Sequence, residues 1–219
     1  MPGEKRAMIF KGYFFDWDGC LADTLGIWME LYKAALRKRG IEGGERTIVR
    51  ELFNDWSGPA RFGVADADEF VEEIIHGLER RISSVRLNPS VRSTLARLRQ
   101  CGARSAVLTG SRRSFVEPVL SRDEIEPYLE LLVCLDDVKH QKPHPEAVER
   151  ALATLELSRE EVCMVGDSTK DVEMGRNAGI TTVLYFPDAN RRFYEPEQLF
   201  SSSPDRVIRE FGELLELTI

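Results

Sequence analysis

Asp16 and Asp18 stand two residues apart directly after the apolar run Tyr13-Phe14-Phe15, and Gly19 follows them where the chain must turn sharply. A single Asp after a strand is commonly a turn former. The pair gains meaning from four other polar residues placed just after short apolar segments: Thr109, Lys142, Asp167 and Asp171. Three carboxylates brought together without a cation repel one another, and at least one would have to keep its proton. A hard divalent cation removes that conflict, and Mg2+ suits two carboxylates, one backbone carbonyl and a phosphate oxygen. A carboxylate can also attack phosphorus directly and divide one hard step into two easier ones. A second carboxylate two residues along can protonate the leaving oxygen and later activate water. Lys142 would then neutralise the transferring oxygens, and Thr109 would donate a hydrogen bond to the same group. Phosphate monoesters hydrolyse so slowly unaided that such a site must supply on the order of 20 kcal/mol.

These residues need elements that deliver them to one place. An apolar stretch from Met8 to Phe15 reads as a buried strand ending at Asp16. Arg104 to Leu108 is a second strand running into Thr109-Gly110-Ser111, and Leu131 to Leu135 a third, followed by the loop that carries Lys142. Glu161 to Val165 is a fourth strand, running into Gly166-Asp167, and Thr181 to Phe186 a fifth. Helical patterns separate them: from Pro89 to Cys101, from Arg112 towards Pro127, from Glu146 to Leu155 behind Pro145, and on to Ala178. Ser158 with Glu161 forms a capping-box pattern. After Ser203-Pro204 a last helix is expected, with Val207, Ile208, Phe211, Leu214 and Leu215 on one face. Repeated strand and helix predict an α/β fold, a doubly wound parallel sheet, whose ligands bind at the carboxyl ends of the strands. Residues 22–86 break the alternation. They hold helical stripes over Leu25 to Arg39, Thr47 to Trp56 and Asp68 to Ser83, with a loop Ser57 to Gly63, and no strand pattern. This predicts an inserted helical subdomain at 22–86 within a core domain made of 1–21 and 87–219.

Composition narrows the function classes. A hydrophobic content of 42% and a charged content of 31% describe a globular chain, and the net charge of -7 argues against an extended nucleic-acid surface. No stretch is apolar for long enough to span a membrane, and no signal-peptide pattern is present, so a cytoplasmic location is expected. Cys20, Cys101, Cys134 and Cys163 form no C-x-x-C pair, which signals neither a zinc site nor a disulfide framework. Six positions beyond them stand Gly26, Val107, His140 and Thr169, not the Arg that thiol-based phosphatases require.

The chain resembles the phosphatases of the haloacid dehalogenase (HAD) superfamily. The resemblance is carried by Asp16-Trp17-Asp18-Gly19-Cys20-Leu21-Ala22-Asp23-Thr24, Val107-Leu108-Thr109-Gly110, Lys142-Pro143 and Gly166-Asp167-Ser168-Thr169-Lys170-Asp171, in the family's order. It implies a Rossmann-like core with a helical cap, as in the phosphoglycolate-phosphatase and β-phosphoglucomutase branch. It implies Asp16 as nucleophile, Asp18 as general acid and base, and Mg2+ on Asp16, Asp167 and the Asp18 carbonyl oxygen. Asp171 would orient the lysine or the metal's surroundings, and a small phosphorylated metabolite would be the substrate. Gly110 departs from the Asn or Ser of many relatives, so a phosphate contact there would come from backbone N–H. Asp18 argues against dehalogenation, whose leaving group needs no proton. A β-phosphoglucomutase-like phosphomutase would use the same residues, and a non-catalytic phosphate sensor would keep the fold without turnover.

Other residues read more plainly. Arg61, between Gly58 and Gly63, is the one inserted residue expected to contact substrate, whereas Trp28 and Trp56 read as core of the insertion. Asp136-Asp137 read as a strand terminator, and Arg112 and Arg113 as solvent-facing. His76, His140 and His144 read as surface or loop residues and not as metal ligands.

Overall fold

The computed structural model describes residues 10–53, 55 and 58–217. Six strands form one parallel sheet: β1 (Gly12–Phe15), β2 (Arg104–Leu108), β3 (Leu131–Val133), β4 (Val162–Gly166), β5 (Thr181–Tyr185) and β6 (Arg206–Ile208), in the order β3-β2-β1-β4-β5-β6. β1 is buried along its whole length and lies between β2 and β4, pairing Phe15 with Val107 on one side and Val165 on the other. Its side chains alternate between two apolar layers. Tyr13 and Phe15 join one core with Val107, Val165 and Phe211, while Phe14 joins the other with Ala106, Met164 and Val148. A parallel sheet covered on both faces requires this continuous apolar run, which is why β1 carries no solvent-facing polar residue. The chain steps to β2 on one side of β1 and to β4 on the other, so the carboxyl ends of β1 and β4 mark the reversal of strand order where α/β sheets bind ligands.

Among the described residues, four α-helices lie between β1 and Val91: α1 (Leu25–Lys38), α2 (Glu45–Leu52), α3 (Gly58–Arg61) and α4 (Ala67–Glu79). The chain leaves and re-enters at one narrow stem, where Asp23 N–H donates to Arg86 O at 2.8 Å and Asn88 N–H to Leu21 O at 2.9 Å. Gly58–Arg61 is a helical turn, not the expected loop: Phe62 N–H reaches back to Gly58 O at 2.9 Å, and Pro59 is placed early in the turn, where its missing N–H costs nothing. The expected helix from Thr47 instead starts at Glu45 and ends at Leu52; Trp56 lies outside the described residues, as do Met8 and Ile9 of the expected first strand.

The remaining core helices are α5 (Val91–Gln100), α6 (Arg113–Arg122), α7 (Glu146–Leu155), α8 (Thr169–Asn177) and α9 (Pro196–Ser201). The Ser158–Glu161 capping box is present. The expected C-terminal helix is not. Residues 206–208 instead form edge strand β6, and a 3₁₀ turn follows at Phe211–Leu215. The Asp205 carboxylate accepts from Thr182 N–H and Oγ1, each at 2.8 Å, and Phe186 N–H donates to Ile208 O at 2.8 Å, which zips the segment onto β5. Ile208, Phe211 and Leu214 are buried, but Val207 and Leu215 are exposed, so the five apolar residues do not share one face. Arg113 is also not simply solvent-facing, since its guanidinium reaches Asp137 at 2.5 Å and Leu132 O at 3.2 Å.

Candidate active site

Asp16 is the first residue beyond β1, and its N–H still donates to Val165 O at 2.9 Å, so the strand ladder holds its backbone. Asp167 follows β4 directly. The adjacent strands therefore put these two carboxylates side by side at the sheet edge, and one turn of α8 adds Asp171; one oxygen of each lies within 4.8 Å of the others. Two glycines permit this crowding. At Gly19, where φ is +75°, a Cβ would come 2.1 Å from Asp167 Oδ2, and at Gly166 a Cβ would come 2.3 Å from Asp171 Cγ. Neither position accepts a side chain without moving a carboxylate.

Lys142 reaches into the cluster from the loop between β3 and α7. Its Nζ donates to Asp16 Oδ1 at 2.6 Å and to Asp171 Oδ1 at 2.7 Å, with only 9% of its side chain exposed. Asp171 Oδ2 accepts from Ser168 Oγ at 2.6 Å and Ser168 N–H at 3.1 Å, so this one residue closes the capping box of α8 and anchors the lysine. Burial by itself would push the Lys142 ammonium down, but Asp16 and Asp171 outweigh it and hold the proton on. The balance on the acids runs the other way. Burial first, then the Asp171 charge, pushes Asp16 up to about 7 against the pull of Lys142. Asp167 is pushed well above the carboxylate range by burial and by Asp16 and Asp171, although Tyr194 Oη donates to its Oδ2 at 2.6 Å.

One lysine does not neutralise three buried acids. Asp167 Oδ1 is buried and has no hydrogen-bond partner, which is costly for a group with lone pairs to satisfy. An unpartnered carboxylate oxygen, an adjacent carboxylate and an excess of negative charge form a donor set that fits a hard divalent cation. Asp16 and Asp167 would hold it, with Asp171 behind them.

Asp18 lies apart from that cluster. Its Oδ1 accepts from Thr24 Oγ1 at 2.7 Å and Trp28 Nε1 at 2.8 Å, and its Oδ2 from Ser111 Oγ at 2.5 Å. Trp28 can only donate. A proton carried by Asp18 therefore belongs on Oδ2, where the Ser111 hydroxyl can turn from donor to acceptor. Thr109 closes β2 and is buried; its Oγ1 accepts from Ser111 N–H at 3.0 Å, which leaves its own O–H free to donate elsewhere. Gly110 forms the bend between them. Arg61 ends α3 and pairs with Asp55. Its charge nevertheless reaches Lys170, whose amino group is lowered chiefly by burial and further by Lys142 and Arg61.

The family model for haloacid dehalogenase-like hydrolases matches residues 13–185, which contain every one of these groups except Tyr194. The chain belongs to the HAD-like hydrolases. Among its relatives, the pyrophosphatase PpaX of Bacillus mycoides is 34% identical over 211 residues, covering 93% of this chain and 94% of the relative. The N-acetylmuramic acid 6-phosphate phosphatase of Pseudomonas putida is 32% identical over 186 residues, covering 80% and 82%. In fold, the crystal structure of a predicted phosphoglycolate phosphatase from Haemophilus somnus superposes with a TM-score of 0.80 at 22% identity, covering 94% of this chain and 97% of the other. The relatives make this HAD-like hydrolase an enzyme of the phosphatase kind.

Sequence reasoning overlooked five partners of the HAD acids. Thr24 closes the Asp16–Thr24 motif and Ser111 directly follows Gly110, so their nearness was readable; their common target, Asp18, was not. Trp28 does pack as core, stacking on Tyr32 at 5.9 Å, yet the same ring bonds Asp18. Asn190 and Tyr194 belong to the segment after β5, which has no periodic pattern, and both reach Asp167 Oδ2, Asn190 at 3.4 Å. The signal available was position alone: this segment also leaves the carboxyl edge of the sheet. Among the described residues no helix is long and apolar enough to cross a membrane.

Proposed function

We propose that the enzyme hydrolyses small phosphate monoesters with Mg2+ through an aspartyl-phosphate on Asp16. The observation that carries the reading is the division of the acids: Asp16 beside Lys142 and the unpartnered Asp167 oxygen, and Asp18 two residues on among neutral donors. Mg2+ held by Asp16, Asp167 and the Asp18 carbonyl oxygen would offset the substrate's charge and align its phosphorus. An Asp16 carboxylate oxygen bonds to phosphorus as the ester P–O bond breaks, and the leaving oxygen takes a proton from Asp18. Asp18, now ionised, removes a proton from water, whose oxygen attacks phosphorus. The bond to Asp16 breaks, releasing phosphate and restoring the carboxylate. Lys142 and Thr109, with backbone N–H at Gly110, stabilise the phosphoryl oxygens throughout.

In this reading the helices of 22–86 act as a cap over the core of 1–21 and 87–219, opening for substrate and excluding water when closed. Lys170 Nζ donates to Phe53 O at 2.9 Å across the two, and Trp28 brings a helix of the cap onto Asp18. Arg61 would meet the part of the substrate remote from phosphorus, and the enzyme would work in the cytoplasm.

The test is a panel of phosphorylated metabolites, including pyrophosphate and N-acetylmuramic acid 6-phosphate, assayed with Mg2+ and quenched in acid during turnover. The expected result is one phosphoryl group on the peptide containing Asp16. Turnover that leaves that peptide unmodified, and that survives in Asp16→Asn, would overturn the mechanism.

A further inference from the structure

His140 and His144 stand two residues before and two after Lys142, four apart, in a loop and not on a helix. The structure relates them by a turn. His144 N–H donates to Gln141 O at 2.9 Å, and the two imidazoles stack with centroids 4.4 Å apart and planes 29° from parallel. Glu146, the first residue of α7, closes the group. Its Oε2 lies 2.9 Å from His140 Nδ1 and accepts His140 N–H at 2.9 Å, its Oε1 accepts Lys139 N–H at 2.9 Å, and its own N–H donates to His144 Nδ1 at 3.2 Å. Those bonds, led by the Lys139 N–H, hold the Glu146 carboxyl down at about 2, so it stays anionic. One ligand atom from each of the three side chains lies within 4.8 Å of the others. Both histidines are exposed, beside a hollow that Asp55, Lys139 and Asn177 also line.

We propose that His140, His144 and Glu146 form a second, surface metal site that takes a transition-metal dication of the zinc type. The chemistry of the donors separates it from the acid cluster at the sheet edge. Two imidazoles and one carboxylate are the ligands zinc prefers, with water completing a tetrahedron, whereas Mg2+ seeks oxygen alone. Zinc binds such ligands at about 2 Å, so the ion takes the place of the proton now shared by His140 Nδ1 and Glu146 Oε2, and the exposed His144 ring turns to meet it. Among the described residues, the His144 ring gives up one hydrogen bond, the long one from Glu146 N–H.

The experiment is Zn2+ titration by calorimetry in saturating Mg2+, which keeps the acid cluster filled, using the full chain and the variants His140→Ala, His144→Ala, Glu146→Gln and His76→Ala. One Zn2+ is expected to bind to the unaltered protein. Binding should weaken at least about tenfold in each of the first three variants and stay unchanged in His76→Ala, since His76 is an exposed histidine of α4. Because the histidines are exposed, the substitutions leave the core intact. The proposal is overturned if no Zn2+ binds in saturating Mg2+, if His140→Ala and His144→Ala titrate like the unaltered protein, or if anomalous diffraction from zinc-soaked crystals finds the ion elsewhere.

Discussion

Asp16 and Asp18 are two residues apart on one chain and each only 2% exposed, but the structure gives them opposite company. Asp16 faces other acids, with Lys142 as its one cation, and is pushed towards its neutral form. Asp18 faces no acid at hydrogen-bond distance and accepts from three neutral donors on three different segments: Thr24 at the stem, Trp28 in α1 and Ser111 after β2. In an extended strand residues i and i+2 face the same side, but the chain turns at Trp17 just beyond β1, where Cys20 N–H and Ala22 N–H donate to Trp17 O, so two identical residues acquire different surroundings without any difference in type. The general lesson is that a carboxylate's role is set by what completes its hydrogen bonds and its charge. In the proposed mechanism a cation and a phosphoryl group complete Asp16, whereas Asp18, which already accepts three hydrogen bonds, exchanges a proton.

The sharpest way to break this comparison is to replace each acid in turn. Asp16→Asn should lower phosphatase turnover by at least about 10⁴-fold, because in the proposed mechanism Asp16 forms the covalent intermediate. Asp18→Asn should cost about 10²- to 10⁴-fold, the usual worth of a general acid and base, with binding largely retained. Equal losses in turnover, with phosphoenzyme formed by neither variant, would erase the distinction drawn between the two. Chelation by EDTA should abolish activity, and added Mg2+ should restore it; activity that persists in EDTA would remove the cation from the Asp16 side.

Smaller changes probe the donors. Trp28→Phe keeps most of the packing against Tyr32 and Phe53 but removes the one donor that cannot reverse, a bond to a charged group worth about 1.5–3 kcal/mol. Roughly a tenfold fall in kcat is expected, together with a shifted basic or acidic limb in the pH profile. A fall in thermal stability alone, with an unchanged pH profile, would reduce Trp28 to packing.

The smallest expected effect is on metal-free stability. Asp16 holds its proton more tightly when folded, up to about 7 from an ordinary 3.8, so its contribution is full below about pH 4 and is lost as the pH climbs through about 7. The melting temperature in EDTA should therefore fall between pH 5 and pH 8, and Mg2+ should flatten the fall. A melting temperature in EDTA that rises over that interval would contradict the electrostatic account.

Much of the core could be read from local pattern. β1 and β4 announce themselves as apolar runs bounded by turn residues, and β2 and β5 do so after their opening Arg104-Ser105 and Thr181-Thr182, because a sheet covered on both faces favours apolar strands. The C-terminal segment could not be read this way. Val207, Ile208, Phe211, Leu214 and Leu215 fit a helical stripe, and the free edge of β5, together with the Asp205 cap, drew the first two into a strand. Edge pairing is a long-range contact and leaves little local trace. The helical turn at Gly58–Arg61 was missed for a related reason: its Gly and Pro are read as breakers, although Pro fits the first turn of a helix. His140 and His144 are four apart but lie in a loop with Pro143 and Pro145, and only the turn closed by His144 N–H on Gln141 O, which stacks the two rings, brings them together.

The types and order of Asp16, Asp18, Thr109, Lys142, Asp167 and Asp171 were determined by the sequence alone, and with them the sheet edge at which they meet, since each follows a strand or the turn beyond it. Only the tertiary structure decided which of them face one another. It placed Asp167 Oδ1 without a partner, set Lys142 between Asp16 and Asp171, and surrounded Asp18 with Thr24, Trp28 and Ser111. The physical reason is that charge and hydrogen-bond balance depend on distances of a few ångström between residues up to 155 positions apart, such as Asp16 and Asp171, and chain order does not encode those distances locally.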